Sequence, residues 1–232
     1  MLQTITYALH SKKPLLNEGI NSNDKGINSD EFSNVINETA LALKSGKLAA
    51  FPTETVYGVG ACMNNEKAVL EIYKIKGRPP EKPLSVLIGS TKDMKEMAAD
   101  IPDFAYQLAD RFWPGPMTLI LNKNPNIPDS VTAGKKTIGL RIPAHPIPLE
   151  LVKIAGPLAC PSANLSGERD PKTAADVLEH LYGKIDILID GGETSLKIPS
   201  TIIDLTAMPP KILRKGGLDI NDIKKCIGEI IE

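Results

Sequence analysis

The stretch MTLILNKNPNIPDSVTAGKKTIGLRIP, residues 117–143, decides the fold class. Met117–Leu121 is an apolar run. In Thr137–Ile142 the residues alternate, with Thr137, Gly139 and Arg141 on one face and Ile138, Leu140 and Ile142 on the other. Both segments predict strands, and no helix intervenes. Parallel neighbours need a long crossover, usually helical, whereas antiparallel neighbours do not. A strict βαβ sheet is therefore excluded, and a mixed sheet with helices packed around it is expected.

Elements alternate on either side of this pair. Phe32, Val35, Ile36, Ala40, Leu41 and Leu43 recur at helical spacing, and Gly46 stops the run. Leu48–Phe51 and Leu84–Ile88 predict strands, with a helix at Asn65–Ile75 capped by Asn64 or Asn65. Ser90 with Asp93 predicts a capping box, and Pro102 the first residue of the next helix. Further on, the pattern predicts helices at Leu149–Ile154 and Ala174–Leu181. Strands follow at Leu158–Cys160, Ile185–Ile189, Thr201–Leu205 and Ile212–Arg214, and Asp219 caps a last helix. Residues 11–30, SKKPLLNEGINSNDKGINSD, have neither period. They predict a mobile polar insertion within an N-terminal extension, 1–30, ahead of one domain, 31–232.

Composition narrows the function classes. The 232 residues are 42% hydrophobic and 24% charged, an ordinary globular balance that excludes collagen-like, coiled-coil and wholly disordered chains. Lys plus Arg is 27 against 28 Asp plus Glu, so any affinity for phosphate or nucleic acid must come from a local patch. Cys62, Cys160 and Cys226 form no CxxC pair, and His10, His145 and His180 give no HExxH or HxxxH spacing. Neither a disulfide framework nor a metal site is expected. No apolar run approaches the ~20 residues of a membrane span, and Met1–Lys13 lacks the features of a signal peptide. A reduced, cytoplasmic protein without membrane association is expected.

Nucleotide signatures fail: there is no GxxxxGK[ST], and Gly58-Val59-Gly60 lacks the third glycine of a dinucleotide fingerprint. Four polar clusters remain. Pro52–Gly58, PTETVYG, follows a strand; it is an ordinary turn or a site for a small polar ligand. Lys74 and Lys76 suit a helix C-terminus, but Arg78 and Lys82 lie beyond it between prolines, a rigid basic loop suited to a triphosphate. Arg141 sits in an apolar strand and needs a partner, either a structural carboxylate or a substrate carboxylate. Pro161–Gly167, PSANLSG, is by itself a turn whose Ser and Asn also suit phosphate or ribose.

In order and together, PTETVYG (52–58), KGRP with PL (76–79, 83–84), FWPGPMT (112–118), GLRIP (139–143), PSANLSG (161–167), PSTIID (199–204) and ILRKG (212–216) resemble one family. It is the threonylcarbamoyl-adenylate synthases, the YrdC-like proteins of tRNA modification, in a short form without the extra C-terminal domain. The resemblance implies an α/β fold of α+β type: a twisted mixed, largely antiparallel sheet with flanking helices and a concave electropositive cavity. It implies a nucleotidyltransferase that makes threonylcarbamoyl-AMP and pyrophosphate from L-threonine, bicarbonate or CO2, and ATP. A downstream threonylcarbamoyl-transfer complex would use the product to make N6-threonylcarbamoyladenosine in tRNA.

By resemblance, Thr55, Arg141, Cys160 (through its backbone) and Ser200 contact threonine. Leu87 stands where many relatives carry a threonine-contacting His, and it cannot hydrogen-bond. Arg78, Lys82, Thr137, Ser162, Asn164, Asp170 and Arg214 contact ATP, and Lys76 with Arg78 carries the catalytic charge. Mg²⁺ would arrive with ATP without dedicated protein ligands. Carbamate and triphosphate are both anions, so clustered cations lower the barrier and no nucleophilic side chain is needed. Two other readings stand beside this one. They are a carbamoyl-adenylate-forming domain, as in long hydrogenase-maturation carbamoyltransferases, and a non-catalytic module with weak tRNA or RNA binding. The net charge of −1 and 4% aromatics weigh against the second.

Overall fold

The computed structural model describes residues 3–9 and 29–232. The expected insertion at 11–30 lies outside the described residues except for Ser29 and Asp30, which open the first helix.

In chain order the elements are β1 (Ile5–Ala8), α1 (Ser29–Lys44), β2 (Ala49–Phe51), β3 (Gly58–Cys62), α2 (Glu66–Lys76) and β4 (Ser85–Leu87). There follow α3 (Thr91–Met97), β5 (Ala98–Ala99), α4 (Asp103–Phe112), β6 (Met117–Lys123), α5 (Asp129–Thr132) and β7 (Thr137–Arg141). The last are α6 (Pro146–Ala155), β8 (Leu158–Ala159), α7 (Ala174–Leu181), β9 (Ile187–Asp190), β10 (Thr201–Asp204), β11 (Lys211–Arg214) and α8 (Ile220–Ile227). The strands join in one sheet of order β1-β9-β2-β3-β8-β4-β7-β6-β10-β11, with β5 paired to β6. Pairs β1–β9, β2–β9, β4–β7 and β6–β10 run parallel, and the other pairings are antiparallel. The mixed sheet expected from the 117–143 stretch is present, largely antiparallel as the resemblance implies, with β6 antiparallel to β7.

Strand alternation sorts the core into two layers. Leu48, Ala50, Val86, Leu119, Leu121, Ile138, Leu140, Leu188, Ile203 and Ile212 face one side, where α2, α4 and α7 pack with Val69, Ile72, Leu108 and Val177. Ala49, Phe51, Leu87, Leu158, Ile187 and Ile189 face the other, where α1 and α6 pack with Ile36, Leu43, Leu151 and Val152. These two helices cover only the β1-to-β4 half of that face. Over β7, β6, β10 and β11 no described helix covers it, and the alternating residues there line a cavity.

Several ends follow the sequence chemistry. Asn65 caps α2 by accepting from Ala68 N, and Asp219 caps α8 by accepting from Asn221 N. The Asp93 carboxylate reaches back to the Ser90 amide at 2.9 Å. Four points differ from the sequence reading. The body does not begin near Asp30: β1 adds an edge strand parallel to β9, burying Thr4 and Leu9. Gly58–Cys62, where the sequence reading places no strand, is a largely buried strand in mid-sheet. Pro102 precedes α4 as its cap rather than opening it, and α6 starts at Pro146.

Candidate active site

The cavity encloses about 330 Å³ above the uncovered half-face. Its floor is Ser85 and Leu87 of β4, Thr137, Gly139 and Arg141 of β7, Ile120 of β6, Ile202 of β10, and Leu213 and Arg214 of β11. The period-2 face read from Thr137, Gly139 and Arg141 is thus the cavity face. A Cβ on Gly139 would meet Ile120 Cδ1 at 3.0 Å and fill floor space. The walls come from loops: Thr55 and Val56 after β2, Arg78, Lys82 and Pro83 after α2, Cys160–Ser162 after β8, and Pro199 with Ser200 before β10. Of the residues singled out in the sequence, Thr55, Arg78, Lys82, Leu87, Thr137, Arg141, Cys160, Ser162, Ser200 and Arg214 all line this one space. Lys76, Asn164 and Asp170 do not.

Arg141 anchors one end. It is buried, its Nη1 donates to Thr55 Oγ1 at 3.0 Å, and its Nε donates to Gly115 O at 3.1 Å. Its Nη2 lies 2.7 Å from Glu54 Oε1, both side chains being under a tenth exposed. The contact is charge to charge without hydrogen-bond alignment, and Nη2 and both Glu54 oxygens have no other partner. The structural carboxylate left open by the sequence therefore exists, and it is Glu54. Beside Arg141, Cys160 is buried and its thiol is pushed up to about 12, chiefly by burial. It is protonated at neutral pH and serves as wall, not nucleophile. A smaller pocket under this end is lined by Thr53, Thr55, Leu87, Arg141 and Cys160 among others.

The other end is cationic. Gly77 ends α2 in the left-handed region at φ 56°, which turns the chain so that Arg78 and Lys82 reach the cavity. Arg78 is held by the loop itself: Nε donates to Lys82 O at 3.0 Å and Nη2 to Pro83 O at 2.8 Å. Arg214 donates from Nε to Ser200 O at 2.9 Å and from Nη2 to Ser200 Oγ at 3.0 Å. Ser200 Oγ also pairs with Thr118 Oγ1 at 2.8 Å, which ties the Pro199–Ser200 wall to β6. Burial lowers the affinity of Arg78 and Arg214 for their protons, yet both stay charged because arginine does not deprotonate in proteins. Among the described lining residues there is no carboxylate.

Lys76 stands behind this wall rather than in it. Only 2% exposed, it donates from Nζ to Ser162 O at 2.6 Å, to Asn164 O, and to Asn164 Oδ1 at 3.4 Å. Burial, with Arg78 adding, depresses it to about 8. Three acceptors match the three donors of an ammonium, so the charge orders the 161–167 loop. Asn164 completes that loop, its Oδ1 accepting from Ser162 Oγ at 2.6 Å and its Nδ2 donating to Glu168 O at 2.7 Å. Asp170 lines an adjoining cavity with Arg169, Lys172, Asp176 and Lys197, and its charge raises the proton affinity of Lys76 and Arg214.

Sequence reasoning missed Glu54, Ser85 and the apolar strip Ile120, Ile202 and Leu213. The strip was implicit in strand parity, since each is the out-of-core neighbour of a core residue. Glu54 carried no such signal, because its partner is distant in sequence.

A family model described as Telomere recombination (Sua5/YciO/YrdC) matches residues 41–216, which hold every cavity-lining residue. The chain belongs to the Sua5/YciO/YrdC family. Within the family it is 50% identical over 189 residues to a threonylcarbamoyl-AMP synthase of Pyrococcus abyssi, covering 81% of this chain and 56% of that one. It is 42% identical over 197 residues to the threonylcarbamoyl-AMP synthase of Bacillus subtilis, covering 84% and 57%. The chain thus spans just over half the length of these curated family members. A Pseudomonas putida threonylcarbamoyl-AMP synthase is 31% identical, with 97% of its length covered. Among solved structures, P. abyssi Sua5 complexed with L-threonine superposes with a TM-score of 0.87 at 43% identity, over 98% of this chain and 62% of that one. Escherichia coli YciO, at 22% identity and a TM-score of 0.78, shares the fold.

Proposed function

We propose that this chain is an L-threonylcarbamoyladenylate synthase, joining L-threonine, CO2 or bicarbonate, and ATP into threonylcarbamoyl-AMP with release of pyrophosphate. The carrying observation is the arrangement of one cavity: a fixed arginine with hydroxyl neighbours at one end and three cations at the other. Family members of that name, and the threonine held by P. abyssi Sua5, support the reading.

In this reading Arg141 takes the threonine carboxylate on the cavity side of its guanidinium, beside the Thr55 hydroxyl and away from Glu54. Thr55, Ser200 and the Cys160 backbone surround the rest, with Leu87 an apolar wall against the side chain. Arg78, Lys82 and Arg214, with Thr137 and Ser162, hold the triphosphate. Lys76 and Asn164 act through the loop they brace, and Asp170 borders the phosphate end. The amine adds to CO2, giving a carbamate and a proton. A carbamate oxygen then attacks the α-phosphorus and the bond to pyrophosphate breaks. Both reactants are anionic, so the cations hold together groups that repel, and orientation supplies much of the remainder. Mg²⁺ enters as the ATP complex and neutralises phosphate charge. The labile product passes to a threonylcarbamoyl-transfer complex in the cytoplasm that modifies tRNA.

The test is pyrophosphate release with each substrate omitted in turn, without tRNA. Release should require threonine and bicarbonate together. Equal release without threonine would reduce the chain to an ATPase and overturn the reading.

A further inference from the structure

The geometry points to Glu54 as a positioning residue that makes the Arg141 end of the cavity selective for a zwitterion over a simple anion. This rests on the reading that Arg141 receives the amino-acid carboxylate.

Arg141 lines the cavity, whereas Glu54 lines neither the cavity nor the small pocket beneath it. The carboxylate therefore lies behind the guanidinium, 2.7 Å from Nη2, and is buried there. The Glu54 backbone is held in place: its main-chain carbonyl oxygen accepts from Leu196 N at 2.8 Å and from Ser195 Oγ at 3.2 Å, both in the 191–199 loop that straps over this segment. The strap is in turn pinned by the buried Tyr57, whose hydroxyl donates to Gly192 O at 2.7 Å and accepts from Gly191 N at 3.2 Å.

The consequence is a division of charge along one continuous floor. At the far end, Arg78, Lys82 and Arg214 face the cavity with no carboxylate in the lining, so that end draws polyanions. At the near end, the cation is balanced from behind, so the local charge is close to zero. A triphosphate, a pyrophosphate or a bare carboxylate gains little field there. An α-amino acid gains more, because its carboxylate meets Arg141 while its ammonium is not repelled by an uncompensated cation. Discrimination of this kind comes from the charge that disfavours the wrong ligand as much as from contacts to the right one.

The variant Glu54→Gln keeps the shape and removes the charge. Threonine binding is measured by calorimetry, with (R)-3-hydroxybutyrate, which is threonine without its amine, and with inorganic pyrophosphate as competitors. ATP binding serves as the check that each variant is folded. The parent should prefer threonine strongly over the desamino compound. In Glu54→Gln that preference should fall about tenfold or more, and pyrophosphate should begin to displace threonine. ATP affinity should stay within about twofold. A preference unchanged from the parent's, or losses of threonine and ATP affinity by the same factor, would overturn the assignment and leave Glu54 a structural pair. If Glu54→Gln does not fold, Glu54→Asp retains the charge but withdraws it by one methylene. Its preference should then fall several-fold, and an unchanged preference would overturn the assignment equally. Failure of the parent itself to bind threonine would instead refute the proposed function, a distinct outcome.

Discussion

Lys76 shows how a single buried charge organises the site without touching the cavity. Its ammonium is spent on Ser162 O and both oxygens of Asn164, so the 161–167 loop is built around it. The cost appears in its titration, since burial brings it from the usual 10.5 to about 8. Unfolded, the group keeps its proton to about 10.5, whereas folded it releases it near 8. Between those values the unfolded state binds the extra proton, and raising the pH favours the folded state. Below about 8 both states are charged and the burial penalty is fully present. Relative to Lys76→Met, the parent should therefore gain stability between pH 8 and 10. Urea denaturation of both proteins at the two pH values measures this, and a parallel pH dependence contradicts it. At this scale the sequence is legible where one strand's alternation suffices, as for Thr137, Gly139 and Arg141. It is not legible where partners are far apart. Nothing in PTETVYG indicates that Glu54 meets Arg141, or that Lys76 is saturated by carbonyls of a distant loop.

The turn from α2 into the Arg78 loop is the element on which the cationic end depends. Gly77 adopts φ 56°, and a Cβ there would meet no atom within 4 Å. Substitution is thus opposed by the backbone alone, because a residue with a Cβ pays about 1–2 kcal/mol in the left-handed region. Gly77→Ala should destabilise the protein by about 1 kcal/mol and weaken ATP binding while sparing threonine binding. Thermal melts with ligand titrations check this, and unchanged ATP affinity would show that Arg78 is placed independently of the cap. Elements with caps and clear periods, such as α2, α7 and α8, can be read from sequence because local chemistry specifies them. β1 cannot, since its four edge residues are mostly exposed and show no alternation. β3 cannot either, because small residues and glycines suit a strand packed closely on both faces and also suit a turn.

Across the whole molecule, one sheet face is divided into a half covered by α1 and α6 and a half left open, and the open half floors the cavity. Helix coverage is a property of how elements stack, so no single segment announces it. The ordered motifs pointed to the family, yet the floor they share becomes visible only when the strands are placed in order. The Ser200–Arg214 bonds fix the cationic end of that floor, while Glu54 pairs with Arg141 at the other. The claim that follows is one cavity with two separable binding ends. Calorimetric titration of threonine and of ATP against Arg141→Lys and Arg78→Ala tests it most directly. Lysine cannot reproduce the forked donation of Arg141, and alanine removes the Arg78 charge. A charge-assisted hydrogen bond is worth about 1.5–3 kcal/mol, or roughly a ten- to hundredfold change in affinity. Arg141→Lys should lose threonine affinity by that factor and keep ATP affinity, and Arg78→Ala should do the reverse. Equal weakening of both ligands by both substitutions would contradict the two-ended cavity.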